Sequence, residues 1–268
     1  MIFADAELSR RLERTEAFGC MQCAEARRRI SPDSGAECMQ CAGTYAVFDG
    51  VASPITQTFG LGLYEELTET ALDNIEQFFL SRGASVQHEV SPFAGLPPLQ
   101  MLSKRGYIPT ELSNVMFRPI EEPPATASSN IQVRLVSADD ADLWSEISTR
   151  GWTHEHPELR EFILELGKII AARERSLCFL AEFDGVPAGA GMLVVHEGVA
   201  LFGGASTVPE LRHRGVQAAL LQARMRYAFD QGCDLAMMVA HPGTESQRNA
   251  ERKGFRIAYT RTKWELKK

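Results

Sequence analysis

The sequence predicts a mixed α/β fold in two related domains, and three observations predict it. Strand-like and helix-like segments alternate along the 268 residues, 44% of which are apolar and 24% charged, as is typical of a globular protein. A stretch over 119–130 is proline-rich, then small and polar, and has no periodicity. The segments on either side of it follow a similar order. We therefore predict domains at 1–120 and 130–268.

In the N-terminal half, a long helical pattern comes first and shorter elements follow. Phe79-Leu80-Ser81-Arg82-Gly83 parallels Phe229-Asp230-Gln231-Gly232, since each would be the end of a helix before a strand. This similarity indicates that the two halves are a diverged tandem repeat. The predicted elements are a helix over 6–29, strands near 38–48 and 55–63, a helix over 68–80, a strand over 85–90, a short helix over 96–104 and a strand over 114–118.

The C-terminal half carries the clearer local signals. Asp184-Gly185 between two apolar runs predicts a tight hairpin. Thr244 with Gln247 is a capping-box pattern that opens a helix, and Gly254 closes that helix. The predicted elements are strands over 131–135, 177–183, 187–196, 199–208 and 235–240, helices after 137 and over 157–173, 215–229 and 245–253, and two closing strands over 255–259 and 262–266.

Charge and hydropathy exclude several classes of partner. The net charge of −7 lies entirely in residues 1–129, because residues 130–268 hold 18 basic and 18 acidic side chains. Neither half has the basic surface of a nucleic-acid binder, and no apolar run approaches the ~20 residues that cross a bilayer. The first residues lack the apolar region of a secretory signal. We expect a cytoplasmic protein with reduced cysteines and with neither nucleic-acid nor membrane partners.

The segment 201–221 predicts an anion site. A strand-like run ends at Val208, Pro209 stops it, and the basic turn Arg212-His213-Arg214-Gly215 opens a helix. The first turn of a helix has unpaired N–H groups and the positive end of the macrodipole. A glycine there allows a ligand to approach the backbone closely. The sequence therefore predicts a diphosphate at this helix start.

The same turn resembles the [Q/R]-x-x-G-x-[G/A] pattern of the GNAT superfamily, the acyl-CoA-dependent N-acyltransferases. It reads Arg212-His213-Arg214-Gly215-Val216-Gln217, with glutamine in place of the last small residue. The context, TVPELRHRG after a strand, AALLQA in the helix and ERKGF further on, extends the resemblance over 130–268. It is faint in the N-terminal half, where Gly60-Leu61-Gly62 lacks the basic turn. The resemblance implies two GNAT-like domains, the first degenerate, each a central mixed, mostly antiparallel sheet flanked by helices.

The resemblance also implies a cosubstrate and the residues that hold it. Acetyl-CoA would pair its pantetheine arm with the backbone of Ser206, Thr207 and Val208. Its pyrophosphate would be bound by the turn, at Arg212, His213, Arg214, Gly215, Val216 and Gln217. The acceptor would be a primary amine of a small molecule or peptide, and a homodimer is an open alternative to a monomer.

The catalytic groups are less defined. The family often uses a tyrosine four residues before the closing Gly-Phe, and this chain has Ala250 there. We predict Tyr259 as the substitute acid. Candidates for the base are the loop 152–156, His196 with Glu197, and His241, and spacing singles out none of them. Ala250 and Gln217 also leave open a non-catalytic acyl-CoA-sensing or protein-binding module.

Two cysteine pairs, Cys20 with Cys23 and Cys38 with Cys41, have the spacing of a four-thiolate zinc site. The first pair lies in a helical pattern and the second in an alternating one. Ala24 and Ala42 occupy the places where zinc knuckles have glycine. We therefore predict packing cysteines and no metal. The motif His154-Glu155-His156 likewise favours a polar surface or an acceptor contact over a metal site.

Overall fold

The computed structural model describes residues 2–123, 130–154 and 157–267, and contacts divide the chain into two compact units. Unit 1 comprises Met1–Arg118 and Met237–Lys268, and unit 2 comprises Pro119–Ala236. The units are defined by contacts, whereas the predicted domains rest on sequence pattern. The boundaries 1–120 and 130–268 therefore stay a prediction.

Among the described residues there are seven α-helices and eleven strands. The helices are α1 (Ala6–Ile30), α2 (Glu69–Leu80), α3 (Leu96–Lys104), α4 (Ala141–Trp152), α5 (Arg160–Ala171), α6 (Val216–Asp230) and α7 (Glu245–Arg252). The strands are β1 (Glu37–Cys41), β2 (Thr44–Phe48), β3 (Gln57–Phe59), β4 (Gln87–Val90), β5 (Tyr107–Pro119), β6 (Ile131–Leu135), β7 (Leu177–Phe183), β8 (Val186–His196), β9 (Val199–Thr207), β10 (Leu235–Ala240) and β11 (Arg256–Leu266). No described helix has the length and hydropathy needed to span a membrane.

Unit 1 is built on a mixed sheet with the order β1-β2-β3-β4-β11-β5. Its pairs are antiparallel except β3 with β4, which are parallel. One face holds an apolar core in which Leu72, Ile75 and Phe79 of α2 are fully buried. The other face packs against α1, where Ala17 and Ala24 lie against Phe59. This α1 face also carries buried charged side chains.

β11 differs from the sequence prediction. The two closing strands predicted over 255–259 and 262–266 are one strand, so that prediction is wrong. β11 pairs with β4 on one side and with β5 on the other, and its register with β5 shifts between Ile257 and Tyr259 and again between Lys263 and Trp264. The partners that keep it continuous lie far away in sequence and give no local signal.

Three other strands differ in extent from the predicted ones. The segment predicted near 38–48 is the hairpin β1–β2, turned by Ala42 and Gly43 with φ of 47° and 69°. The strand predicted over 55–63 is limited to β3, whereas β5 begins at Tyr107, well before the predicted 114. The local turn at Ala42 and Gly43 divides the first segment, whereas pairing with β11, distant in sequence, accompanies the earlier start of β5.

Unit 2 is built on an antiparallel sheet with the order β6-β7-β8-β9. The predicted hairpin is confirmed, since Asp184 and Gly185 both have left-handed φ, 51° and 77°. Trp144 of α4 is 1% exposed and packs with Ile147 and Leu180, and its Nε1 donates to the carbonyl of Phe179 at 3.1 Å. These contacts fix α4 on the sheet.

The start of α6 lies close to the strands of unit 2. A Cβ at Gly189 would be 2.7 Å from Cγ1 of Val216, so glycine permits the contact between β8 and the first turn of α6. Further along, Nη1 of the buried Arg224 donates to the carbonyls of Met192 at 2.9 Å and Gly203 at 3.2 Å. Helix and sheet are therefore held together at both places, and the α6 N-terminus has a fixed position.

Candidate functional site

The candidate site is the turn between β9 and α6. Pro209–Leu211 form one 3-10 turn, and Arg212 is extended. His213 and Gly215 both have left-handed φ, 62° and 87°. Gly215 directly precedes α6, and no side chain caps the helix there. The first N–H groups of α6 are therefore left for water or for a ligand.

The basic side chains of the turn are anchored near this helix start. Nη2 of Arg212 donates to the carbonyl of Gly151 at 3.2 Å, and the guanidinium of Arg214 lies 5.2 Å from the ring centre of Phe183. His213, Arg214 and Gly215 are exposed. Two guanidinium groups beside a helix N-terminus favour a multiply charged anion such as a diphosphate.

The last two motif positions differ in burial. Val216 is buried against β8, whereas Gln217 is exposed. Because position 217 faces solvent, glutamine fits there without a steric clash, although the family pattern has glycine or alanine. The departure from the family pattern leaves the helix start intact.

The end of β9 presents its backbone next to the turn. The N–H of Val208 donates to the carbonyl of Ala188 at 2.9 Å, and Oγ of Ser206 donates to the carbonyl of Ser148 at 3.1 Å. Because alternate residues of a strand direct their backbone groups to opposite edges, Thr207 directs its own away from β8. The structure thus brings Ser206–Val208 and Arg212–Gln217 into one continuous strand, turn and helix start.

Tyr259 lies in the interior of unit 1, 6% exposed. Its hydroxyl donates to Oε1 of Glu13 at 2.9 Å, and its ring meets Phe93 edge to face at 5.6 Å. Burial, and next the Glu13 carboxylate, raise the pKa of Tyr259 well above its usual value. The phenol therefore stays protonated at neutral pH, and its role as an acid stays a prediction.

The candidate bases lie in different places. Trp152 ends α4 and is 51% exposed, His154 is exposed, and Glu155 and His156 lie outside the described residues. In unit 2, Nε2 of His196 is 3.8 Å from Oε1 of Glu197, at a turn where Glu197 has a left-handed φ of 45°. His241 belongs to unit 1 and is exposed. Within each unit, the structure singles out none of these as the base.

The cysteine pairs do not converge. Cys38 packs on the α1 face of β1, and its Sγ donates to the carbonyl of Met21 at 3.9 Å. Cys41 is on the opposite face, and its Sγ donates to the carbonyl of Ala71 at 3.8 Å. Within the described ranges no three His, Cys, Asp or Glu side chains are grouped to hold a metal, and all six cysteines are free thiols.

A buried charge cluster in unit 1 was missed from the sequence. Nη1 of Arg261 contacts Oε1 of Glu13 at 3.2 Å and Oε2 of Glu16 at 2.6 Å, and its Nε lies 3.0 Å from Oε2 of Glu89. Arg261, Glu13 and Glu89 are each at most 2% exposed. The one sequence signal was an arginine inside the strand-like run 259–263, and its three partners lie more than 170 residues away.

We expect Glu13 to make stability depend on pH. Burial, partly opposed by Arg261, raises the pKa of Glu13 from 4.5 to about 7. Between these values the folded chain keeps a proton that the unfolded chain has released, so stability falls as pH rises through this window. In urea denaturation, the free energy of unfolding of the wild type relative to Glu13→Gln should fall by roughly 1–3 kcal/mol from about pH 5 to about pH 7.5. A constant difference, like that expected for the exposed Glu66→Gln, would contradict this.

Comparisons with known proteins identify a similar family and fold. Residues 141–255 match the acetyltransferase (GNAT) family model, and this range includes the whole turn. No curated protein matches the chain.

Solved structures share the fold at low identity. A GCN5-related N-acetyltransferase from Kribbella flavida superposes with a TM-score of 0.65 at 16% identity, over 91% of this chain and 94% of that one. A tandem GNAT protein from the clavulanic acid biosynthesis pathway gives 0.59 at 13% identity, over 83% and 78%. A putative GNAT acetyltransferase from Novosphingobium aromaticivorans gives 0.55 at 15% identity, over 90% and 96%. The predicted fold class is confirmed.

Proposed function

From the membership of residues 141–255 in the GNAT acetyltransferase family, we propose that the protein is an N-acetyltransferase using acetyl-CoA as cosubstrate. The observation that carries the proposal is the uncapped α6 N-terminus, with Gly215 in the left-handed region and Arg212 and Arg214 anchored beside it. The pyrophosphate would bind the first N–H groups of α6, and the guanidinium groups would offset its charge. The pantetheine arm would run along the backbone at Ser206, Thr207 and Val208.

The chemistry proposed for the bound state is acyl transfer to a primary amine. The neutral nitrogen of the acceptor attacks the thioester carbonyl and loses a proton as the amide bond forms; the carbon–sulfur bond breaks, and the thiolate of CoA takes up a proton, so that no net proton is released. The thioester is already activated, so positioning of the amine supplies much of the acceleration. A small molecule or a peptide is the proposed acceptor, and the cytoplasm the proposed location.

One CoA per chain is expected. The corresponding place in the N-terminal half is filled by its own side chains, since a Cβ at Gly60 would lie 2.3 Å from Tyr64 and one at Gly62 would lie 2.4 Å from Pro98. That segment also lacks the basic turn. Calorimetric titration of the full chain with CoA should give one site, weakened by salt because the contacts are charged. Absence of binding would overturn the proposal.

The predicted acid has a matched test. Tyr259→Phe should lower kcat for acetyl transfer by about 100-fold or more, the usual contribution of a general acid, with CoA affinity unchanged. Tyr64→Phe is the control, because Tyr64 is another phenol of unit 1 whose hydroxyl donates a hydrogen bond, to the carbonyl of Arg10 at 2.9 Å. Release of free thiol from acetyl-CoA, measured with a panel of amines, reports both rates. Equal rates for Tyr259→Phe and the wild type would remove Tyr259 from the mechanism.

A second candidate function is a non-catalytic acyl-CoA-sensing or protein-binding module. It is favoured by Ala250, which is 3% exposed where the family often has its tyrosine, and by the buried bond between Tyr259 and Glu13. Stoichiometric CoA binding with no thiol release in the presence of any amine would support the sensor. Amine-dependent thiol release would support the enzyme.

A further inference from the structure

Unit 1 has a cavity of about 220 Å³ between α1 and the sheet, and none of the residues of the turn at 212–217 lines it. Pro54, Ile55 and Phe59 form an apolar part of its lining. The side chains of Glu16, Glu89 and Glu111 line it as well. Pockets for drug-sized ligands are usually ~300–1,000 Å³, so this cavity suits a smaller molecule.

The charges around the cavity do not balance. The carboxylates that line it face two cations, Arg261 and Lys263, of which Lys263 lies 3.4 Å from Glu89 and 3.5 Å from Glu111. Arg261 contacts Glu16 and Glu89 and, beyond the cavity lining, Glu13. The three lining carboxylates, Glu16, Glu89 and Glu111, against two cations leave one negative charge in excess, which attracts a further cation.

An amide oxygen gives an independent indication of a ligand. Gln57 lines the cavity, is 5% exposed, and its Oε1 has no hydrogen-bond partner among the described residues. Buried polar atoms are nearly always hydrogen-bonded. A ligand that carries N–H groups would supply the missing donor.

The surroundings favour an organic cation over a metal ion. The described residues contain no group of three side chains arranged to bind a metal, and the cavity has the apolar wall that carbon atoms need. We propose that this cavity binds a small aliphatic amine, with ammonium groups against Glu16 and Glu111 and methylene groups against Ile55 and Phe59. The proposal requires neither CoA binding nor acetylation of the amine.

The test compares two probes of the same length. The full chain, without CoA, is titrated with 1,4-diaminobutane and with 1,4-butanediol, which has hydroxyls in place of the ammonium groups. Calorimetry should detect one site for the diamine and none for the diol. No binding of the diamine at millimolar concentration, or equal binding of both, would overturn the proposal. Either result leaves the CoA titration unaffected, so the two proposals fail separately.

Two variants should shift the affinity in opposite directions. Glu111→Gln removes one carboxylate and should weaken diamine binding about fivefold, as expected for a partly exposed charge pair. Lys263→Met removes a competing cation from Glu89 and Glu111, so binding should tighten, which a misfolded protein would not do. Glu66→Gln, the same change at an exposed position outside the cavity, should have no effect. Failure of either shift would contradict the assignment to this cavity.

Discussion

Replacement of Gly215 by glutamate is expected to abolish CoA binding. The new carboxylate would lie at the α6 N-terminus, where the diphosphate is proposed to bind, and would repel it. Two like charges 4 Å apart at a protein surface repel by about 4 kcal/mol, so the loss of affinity should be 100-fold or more. Calorimetric titration with CoA measures it directly.

The matched control lies at the other end of the same helix. Gly232 follows α6 with φ of 74°, against 87° for Gly215, and a Cβ there would meet nothing within 4 Å. Gly232→Glu therefore imposes a similar backbone strain and the same charge, but at the helix C-terminus. It should bind CoA as the wild type does. If both variants lost binding equally, the effect would be one of strain or folding and the proposed site would be wrong.

Replacement of Arg261 by methionine is expected to destabilise the protein by about 3–5 kcal/mol. The variant would leave the carboxylates of Glu16 and Glu89 without their shared cation, and that of Glu89 is buried. A buried charge without a partner retains its desolvation cost and loses the attraction that offset it. Urea denaturation at neutral pH gives the free energy of unfolding.

Arg105→Met is the control for that measurement. Arg105 also contacts three carboxylates, those of Glu69, Asp73 and Glu76, but the first two are about two-thirds exposed. Exposed ion pairs contribute about 0–1 kcal/mol, so this variant should lose no more than about 1 kcal/mol. Equal losses for Arg105→Met and Arg261→Met would show that burial does not govern the contribution of these clusters.

Elements with strong local signals were predicted closely. The bounds of α3, β7 and β10 are those expected, because glycine, proline or a turn pair marks at least one end of each. β6 also has the expected bounds, although it has no such marker. The helix start at Thr244 is confirmed as well, since Oγ1 of Thr244 accepts from the N–H of Gln247 at 3.4 Å, whereas Oε1 of Gln247 accepts from the N–H of Gly243 at 2.8 Å. The start of α6 belongs to the same class, since it lies at Val216, one residue from the predicted position.

What could not be predicted depends on partners distant in sequence. The sequence predicts two strands in place of β11 because the residues around Arg261 and Thr262 are polar. Their pairing with β4 and β5 gives no signal in the local sequence. For the same reason the cluster around Arg261 was missed, since α1 supplies two of its carboxylates. A charged residue acquires a structural role when it is buried, and the local sequence pattern does not indicate which charged residues are buried.

The position of β11 has a consequence for how the chain folds during synthesis. β4 and β5 are made early, but the strand that pairs with both of them consists of residues 256–266. Until those residues leave the ribosome, both strands keep an unpaired edge, and unpaired edges invite association with other chains. The pairing of β4 and β5 within this sheet therefore waits for residues 256–266, which are made long after both strands.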